Sequence, residues 1–156
     1  MDGAPNLKKL FEYNAAANRR TLGSLPINGS EHERAYKVIG HAVNVERLWL
    51  NRLEHGEKAK APEMFPILTK NELEETIDEN SMDFSRILAG MGSDGLSRIV
   101  DYVTTEGDQK QSAAGDILFH VINHSTYHRG QVALLLGSGG GHAAVTDYIA
   151  FARGDF

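Results

Sequence analysis

Three histidines recur at intervals of four residues in the segment LFHVINHSTYHRGQVALLLG, namely His120, His124 and His128. Each residue of an α-helix turns the chain by about 100°, so residues four apart lie one turn apart on nearly the same face. Two imidazoles placed in this way, such as those of His124 and His128, can chelate one metal ion. The spacing therefore predicts a pair of metal ligands on one helix.

A metal site of this kind needs a third ligand, because a catalytic zinc ion usually takes three protein ligands and keeps one open position. His41 is the best candidate, since it lies in the apolar stripe of a second predicted helix that would face the first. His120 is the rival, although three ligands along one straight helix would span too far to surround one ion. A pair with this spacing is more often a packed, hydrogen-bonded or surface feature of a helix, so both interpretations stay open until His41 is considered with it.

Further polar residues are assigned to the pocket or to the surroundings of the ligands, together with His120. Gln131 shares the face of His124 and either orients a ligand or is a buried amide. Tyr127 lies about 60° from that face and either offers its hydroxyl to the pocket or packs in the core. On the first predicted helix, Asn14 and Asn18 are four residues apart and face either the cavity or solvent. No catalytic residue is assigned.

Other residues near the histidines are excluded from the chemistry. Glu46 lies about 140° from His41 around its helix, so we expect it to point away from the metal and do not nominate it as a general base. Arg129 is expected to serve contacts between helices or subunits, and Gly130 to permit close helix packing. A zinc-protease helix would carry Glu where Ser125 stands, and no histidine has the Glu three residues before it that di-iron bundles require.

Composition limits the classes of function further. The chain has no cysteine, so it has no disulfide, no thiolate ligand and no cysteine nucleophile, and any thiol chemistry needs an external thiol. Its 16 Lys and Arg against 21 Asp and Glu give a net charge of -5, which argues against nucleic acid as a partner. With no apolar signal core or bilayer-length apolar run, the chain is expected to be cytoplasmic, without a membrane partner.

Apolar residues recur mostly every three or four positions, which is the helical period. Four long helices are predicted, at about residues 6–24, 30–54, 69–91 and 112–136. Ser30 and Glu33 fit a capping box for the second helix, and Thr69 or Asn71 caps the third. A small hairpin turning at 106–108 and a short helix within 143–153 complete one domain, residues 1–156. The predicted fold class is all-α, an up-and-down four-helix bundle, which commonly builds ligand sites from inward-facing side chains.

The segment HVINHSTYHRGQV, with GHAVNVERLWLNRL upstream, resembles the DinB/YfiT superfamily and in particular its DinB branch. That branch often shows Asn-His, a gap of three residues and then His-Arg-Gly-Gln. The opening FEYNAAANRRTLGSL and the closing TDYIAFAR are also similar to the ends of the family, so the resemblance covers nearly the whole chain. It implies a four-helix bundle, usually a homodimer, that holds zinc or nickel through His41, His124 and His128, with His120 as a neighbour.

The reaction is less well defined by this resemblance than the site. Some members of the superfamily are transferases that use bacillithiol, mycothiol or glutathione, whereas many others, including damage-inducible members, have no known activity. The resemblance thus implies a metal-dependent thiol S-transferase acting on a small-molecule substrate. Two alternatives remain, a metal-dependent hydrolase and a non-catalytic metal-binding stress-response dimer.

Overall fold

The computed structural model describes residues 6–27 and 32–156. Within these residues the chain forms five α-helices and one two-stranded antiparallel sheet. The helices are α1 (Leu7–Gly23), α2 (Glu33–His55), α3 (Lys70–Gly90), α4 (Ala114–Ser138) and α5 (Tyr148–Arg153). The strands, β1 (Ile99–Val103) and β2 (Gln109–Ala113), lie between α3 and α4 in the chain.

Side-chain caps fix the beginnings of α1 and α3. Asn6 accepts a hydrogen bond from the Lys9 amide at 2.9 Å. Thr69 and Glu72 form a capping box, in which the Glu72 carboxylate accepts from the Thr69 amide at 2.7 Å and Thr69 Oγ1 accepts from the Glu72 amide at 3.3 Å. These two helix starts agree with the sequence prediction. The cap predicted for α2, Ser30, lies outside the described residues.

The predicted all-α class is confirmed only in part, because the predicted hairpin forms in full as a two-stranded antiparallel sheet. The sequence predicts the start of the fourth helix near Ser112, whereas Ser112 lies in β2 and pairs with Val100 of β1. The Tyr102 hydroxyl and Ser112 Oγ lie 3.1 Å apart across the two strands. The β-branched residues of β1 favour an extended backbone, and Gly107 closes the turn with a φ of 93°.

The closing helix is shorter than predicted, because residues 143–147 are not helical. The Val145 carbonyl accepts a hydrogen bond from Arg20 Nε at 3.1 Å, and the Thr146 carbonyl accepts one from the Tyr13 hydroxyl at 2.8 Å. These bonds to α1 take the place of intrahelical bonds. Valine and threonine also favour extended backbone.

The four long helices enclose two hydrophobic clusters, with α2 packed against α3 and α4, and α1 packed against the same two helices. One cluster includes Phe11 and Phe84, whose ring centroids are 4.2 Å apart. The other includes Leu22, Ile39 and Leu73. In the part of the chain that the structure describes, no helix has the length and apolarity to cross a bilayer.

Candidate metal centre

The histidines assigned as ligands meet between α2 and α4. His41, His124 and His128 each place one ring nitrogen within 4.8 Å of the other two. The His41 ring centroid lies 4.7 Å from that of His128 and 5.2 Å from that of His124. Trp49 follows His41 in α2, whereas its partner His120 precedes His124 in α4, so the two helices run in opposite directions. Two helices distant in sequence thus supply one cluster of imidazoles.

Two of the three rings are oriented by acceptors outside the cluster. His41 Nδ1 lies 2.7 Å from the Met64 carbonyl oxygen, and His128 Nδ1 lies 2.7 Å from Gln131 Oε1. Both oxygens can only accept, so each Nδ1 carries the proton and each Nε2 keeps a lone pair. Partners of this kind fix the tautomer and the orientation of metal-binding histidines.

The spacing of the inner nitrogens suits a divalent metal ion. His124 Nε2 and His128 Nε2 lie 3.1 Å apart, and a tetrahedral zinc ion with Zn–N bonds of about 2.0–2.1 Å holds its ligand nitrogens about 3.3 Å apart. His124 Nδ1 is buried and has no hydrogen-bond partner among the described residues. The protein contacts of this ring are therefore incomplete. Three imidazoles in this arrangement could hold a metal ion.

Burial lowers the pKa of His124 and of His128 and so favours the neutral imidazole, which is the form that binds a metal. Burial, followed by the neighbouring imidazoles of His128, His41 and His120, lowers the pKa of His124 to about 3. Burial also lowers the pKa of His128, although its hydrogen bond to Gln131 opposes the change. At neutral pH, protons do not compete for the His124 nitrogens.

Aromatic side chains flank the cluster at the protein surface. Phe65 stacks on His41 with ring centroids 4.3 Å apart and an interplanar angle of 8°. Tyr127 lies with its ring centroid 5.1 Å from that of His128, and its hydroxyl accepts from Gln131 Nε2 at 3.2 Å. Phe65 is 59% exposed and Tyr127 is 65% exposed. Core packing is therefore the wrong role for Tyr127, which lies at the rim of the cluster.

His120 is a neighbour of the cluster and not one of the three grouped nitrogens. Its ring centroid lies 5.6 Å from that of His124 and 5.4 Å from that of Trp49. Burial, followed by the positive charge of Arg52, lowers its pKa. A neutral imidazole thus borders the candidate ligands on the side opposite Tyr127.

Sequence reasoning missed the contribution of the loop between α2 and α3. This loop supplies the Met64 carbonyl and the Phe65 ring to His41, and the Asn44 side chain holds it on α2 by donating to the Glu63 carbonyl at 2.8 Å. A Cβ atom on Gly40 would lie 3.3 Å from the Pro66 carbonyl oxygen, so glycine permits the close approach. The available signal was an apolar stretch, MFPIL, inside an otherwise polar connection.

The two asparagines of α1 are buried but lie in a different polar cluster. Asn14 is 2% exposed and Asn18 is 0% exposed, so the solvent-facing interpretation is wrong. Both donate to Glu46 and accept from Arg129, and neither is hydrogen bonded to the three histidines. Glu46, as expected, is not among the grouped metal-ligating side chains. Its burial at 3% exposure was not predicted.

The fold and the site define a mostly helical protein with a small antiparallel sheet and a cluster of three imidazoles that could hold a metal ion. The DinB family model matches residues 4–155, and the chain belongs to the DinB family. It is 27% identical over 154 residues to Protein DinB of Bacillus subtilis (strain 168), covering 90% of each chain.

The fold is also similar to the crystal structure of a DinB-like protein from Bacillus cereus ATCC 10987. The TM-score is 0.71 at 15% identity, over 89% of this chain and 94% of that one. The resemblance to DinB proteins that the sequence motifs indicate is therefore confirmed.

Proposed function

We propose that this protein binds one divalent metal ion, zinc or nickel, through Nε2 of His41, His124 and His128, and transfers a low-molecular-weight thiol to a small-molecule substrate. The observation that carries the proposal is the convergence of three imidazoles, two of which are oriented by Met64 and Gln131. The packing of the four long helices against one another supports an up-and-down bundle as the frame of this site.

The donor set supports thiol transfer over hydrolysis. A divalent ion held by three neutral imidazoles keeps its full charge and supplies a Lewis acid that ionises a bound thiol at neutral pH. Among the described residues, the ligating cluster consists of imidazoles alone. The buried carboxylate of α2, Glu46, is occupied by hydrogen bonds from Asn14, Asn18 and Ser125. A metalloprotease-type hydrolase uses a carboxylate beside the metal as its general base, and Glu46 is not placed for that role.

The side chains around the cluster are placed to receive the substrate and the thiol. Gln131 orients His128 and simultaneously donates to the Tyr127 hydroxyl, so the orientation of a ligand is coupled to a polar group at the rim. The exposed rings of Phe65 and Tyr127 offer apolar contact area on two sides. His120, a neutral imidazole, is suited to accept the proton that a thiol loses.

The test is a thiol-dependence assay on tag-free protein loaded with zinc or nickel, using bacillithiol, mycothiol or glutathione with an electrophilic chloroaromatic compound. Saturable, thiol-dependent turnover that His41→Ala abolishes would support the proposal, and His142→Ala, an exposed histidine elsewhere, is the matched control. Ester turnover without thiol would indicate a hydrolase. Bound metal with neither thiol binding nor turnover would indicate a non-catalytic metal-binding protein.

A homodimer is part of the proposal because α4 leaves an apolar stripe uncovered. Phe119 is 61% exposed, Tyr127 is 65% exposed and Leu134 is 71% exposed. By helical geometry these residues lie within about 80° of one another around α4. We expect light scattering to give the mass of two chains for the wild type and of one chain for Leu134→Glu. A wild-type mass of one chain would contradict the dimer without affecting the metal site.

A further inference from the structure

A layer of buried polar side chains crosses the protein between its two hydrophobic clusters. On α3, for example, Asn80 lies between Ile77 of one cluster and Phe84 of the other. Each of the four long helices contributes at least one member, and none is more than 3% exposed. The members are Asn14, Asn18, Glu46, Asn80, Ser125 and Arg129.

Glu46 on α2 is the acceptor at the centre of this layer. Its Oε1 accepts from Asn14 Nδ2 at 2.7 Å, from Asn18 Nδ2 at 2.9 Å and from Ser125 Oγ at 2.6 Å. Its Oε2 accepts from Asn80 Nδ2 at 3.2 Å. One carboxylate thus joins α2 to each of the other three long helices.

Arg129 on α4 closes the network on the far side of the two α1 asparagines. Its Nη1 donates to Oδ1 of Asn14 and to Oδ1 of Asn18, at 2.8 Å in both cases. Its Nη2 donates to Thr126 Oγ1 at 2.8 Å. Each asparagine therefore accepts from the guanidinium and donates to the carboxylate of Glu46. Two amides bridge two opposite charges, and only one relative placement of α1, α2 and α4 satisfies all of these bonds.

The network is attached to the same helical turns that carry the histidines. Ser125 directly follows His124, and Arg129 directly follows His128. Glu46 comes five residues after His41, about 140° around α2. Sliding α4 by one turn, or rotating it by one residue, would break the bonds of Ser125 and Arg129. The same movement would carry His124 and His128 away from His41.

We propose that Glu46, Asn14, Asn18, Ser125 and Arg129 are positioning residues, which set the rotation and register of α4 against α2 so that the histidines of both helices meet. Apolar contacts on either side tolerate small shifts, whereas a buried network of charges and amides is satisfied in one geometry. Buried polar residues fix helix register in some other proteins by this means. The functional importance of this positioning rests on the proposed metal site, but the placement of the rings can be tested without any metal.

The first arm of the experiment measures that placement in metal-free protein. Nuclear Overhauser effects between the ring protons of His41 and those of His124 and His128 are recorded with isotope-labelled histidine. They are expected in the wild type, because the ring centroids are 4.7 Å and 5.2 Å apart. They are expected to weaken at least about twofold in Glu46→Gln and in Ser125→Ala. Ser125→Ala keeps the carboxylate and loses one hydrogen bond, so it decides the question if Glu46→Gln does not fold.

The second arm measures cobalt(II) binding, whose visible absorption reports ligand geometry. Glu46→Gln and Ser125→Ala are expected to weaken cobalt binding about tenfold or more and to change the spectrum. Phe84→Leu, a core substitution outside the network, is the control for loss of stability and is expected to keep both the spectrum and the affinity. Glu46→Asp, which retains the charge, is expected to restore part of the affinity.

The outcomes separate this inference from the proposed function. Unchanged nuclear Overhauser effects between the histidine rings in folded Ser125→Ala and Glu46→Gln would overturn the positioning role, whatever the cobalt titration shows. A wild type that binds no cobalt but shows the ring-proton effects, with both variants losing them, would support positioning and overturn the metal site. If Phe84→Leu lost the Overhauser effects and the cobalt affinity to the same extent, the inference would also be overturned, because general destabilisation would then explain the result.

Discussion

Two polar clusters share the helices α2 and α4, and they differ in how their hydrogen bonding is completed. The core cluster sets Glu46, an acceptor, against the amide and hydroxyl donors of Asn14, Asn18 and Ser125. The histidine cluster instead brings three like rings together, and His124 Nε2 and His128 Nε2 lie 3.1 Å apart. In the first cluster unlike groups pair with one another, although Asn80 Oδ1 and Arg129 Nε have no partner among the described residues. In the second, the inner nitrogens of three imidazoles converge on one point, an arrangement that could hold a metal ion.

This difference shows why burial of polar residues does not by itself identify a ligand site. The asparagines of α1 are buried and His124 and His128 of α4 are half-buried, but the asparagines have both donors and acceptors in reach. Pairing of unlike groups is typical of a structural network, whereas convergence of like ligand groups is typical of a candidate metal site. Substitutions in each cluster test this separation.

Removing one partner from the core cluster should cost the most stability. We expect Glu46→Gln to lower the free energy of unfolding by about 3 kcal/mol, because an amide group then faces buried donors and Arg129 loses its opposite charge. In metal-free protein His124→Gln should cost less than about 1 kcal/mol, since its ring has few protein partners. Urea denaturation followed by circular dichroism measures both values.

The control for this comparison is Glu75→Gln, which removes an exposed carboxylate from α3. It should change the free energy of unfolding by less than about 0.5 kcal/mol. An equal loss of unfolding free energy in Glu46→Gln and His124→Gln would show that the two clusters do not differ in their hydrogen bonding.

Metal affinity should respond to the residue that orients His128. Gln131→Leu removes the acceptor of His128 Nδ1, and we expect zinc binding to weaken about 10–100-fold in calorimetric titrations. Gln131→Glu provides a carboxylate acceptor at the same place and should retain or increase the affinity. His120→Ala, which removes a neighbouring imidazole, should leave the stoichiometry unchanged. Wild-type affinity in Gln131→Leu would exclude Gln131 as the orienting partner.

Much of this arrangement could be predicted from the sequence, because helical periodicity depends on local residue types. The spacing of His124 and His128 on one helix predicted their shared face, and the apolar stripe around His41 predicted its approach to them. The sequence did not reveal the Met64 carbonyl as a partner of His41, since any residue offers the same backbone oxygen. Nor did it reveal that Glu46 is buried, because the partners that make its burial tolerable come from three other helices.

One residue of the motif segment has a different environment from the one predicted. Gly130 was expected to permit close packing of helices, but a Cβ atom built there meets nothing within 4 Å. Its neighbour Arg129 makes the contact between helices instead, through a side chain that spans to α1. Periodicity places both residues off the histidine face but does not say which of them meets another helix.

Acid should destabilise the metal-free protein through the histidine cluster. The pKa of His124 is lowered to about 3 in the folded protein, below the ordinary value of about 6.5. Between these values the unfolded chain binds a proton that the folded protein excludes, so the free energy of unfolding falls as the pH falls. A whole proton is worth about 1.4 kcal/mol per pH unit, and partial exposure of the ring should reduce the slope to about 1 or less.

Urea denaturation with a chelator present, at several pH values from 7.5 to about 4.5, measures this slope. His124→Gln should reduce it, whereas His142→Ala, an exposed histidine after α4, should not. An unchanged slope in His124→Gln would exclude His124 as the group that titrates.

Two glycine substitutions should give the smallest effects and should differ in their consequences for the site. Gly130→Ala meets open space on α4 and should raise the free energy of unfolding by up to about 1 kcal/mol. Gly40→Ala places Cβ 3.3 Å from the Pro66 carbonyl oxygen, so the loop that holds His41 must shift. We expect Gly40→Ala to weaken zinc binding severalfold and Gly130→Ala to leave it unchanged. Calorimetry that finds equal affinity in both variants would show that the loop does not control His41.

Metal content tests whether three imidazoles from α2 and α4 hold one metal ion. Tag-free wild type and the variants His41→Ala, His124→Ala, His128→Ala and His120→Ala would be reconstituted with zinc or nickel, desalted and measured by mass spectrometry. We expect about one equivalent per chain in the wild type and in His120→Ala, and almost none in the other three folded variants. A wild type that retains no metal, or ligand variants that retain a full equivalent, would contradict the account.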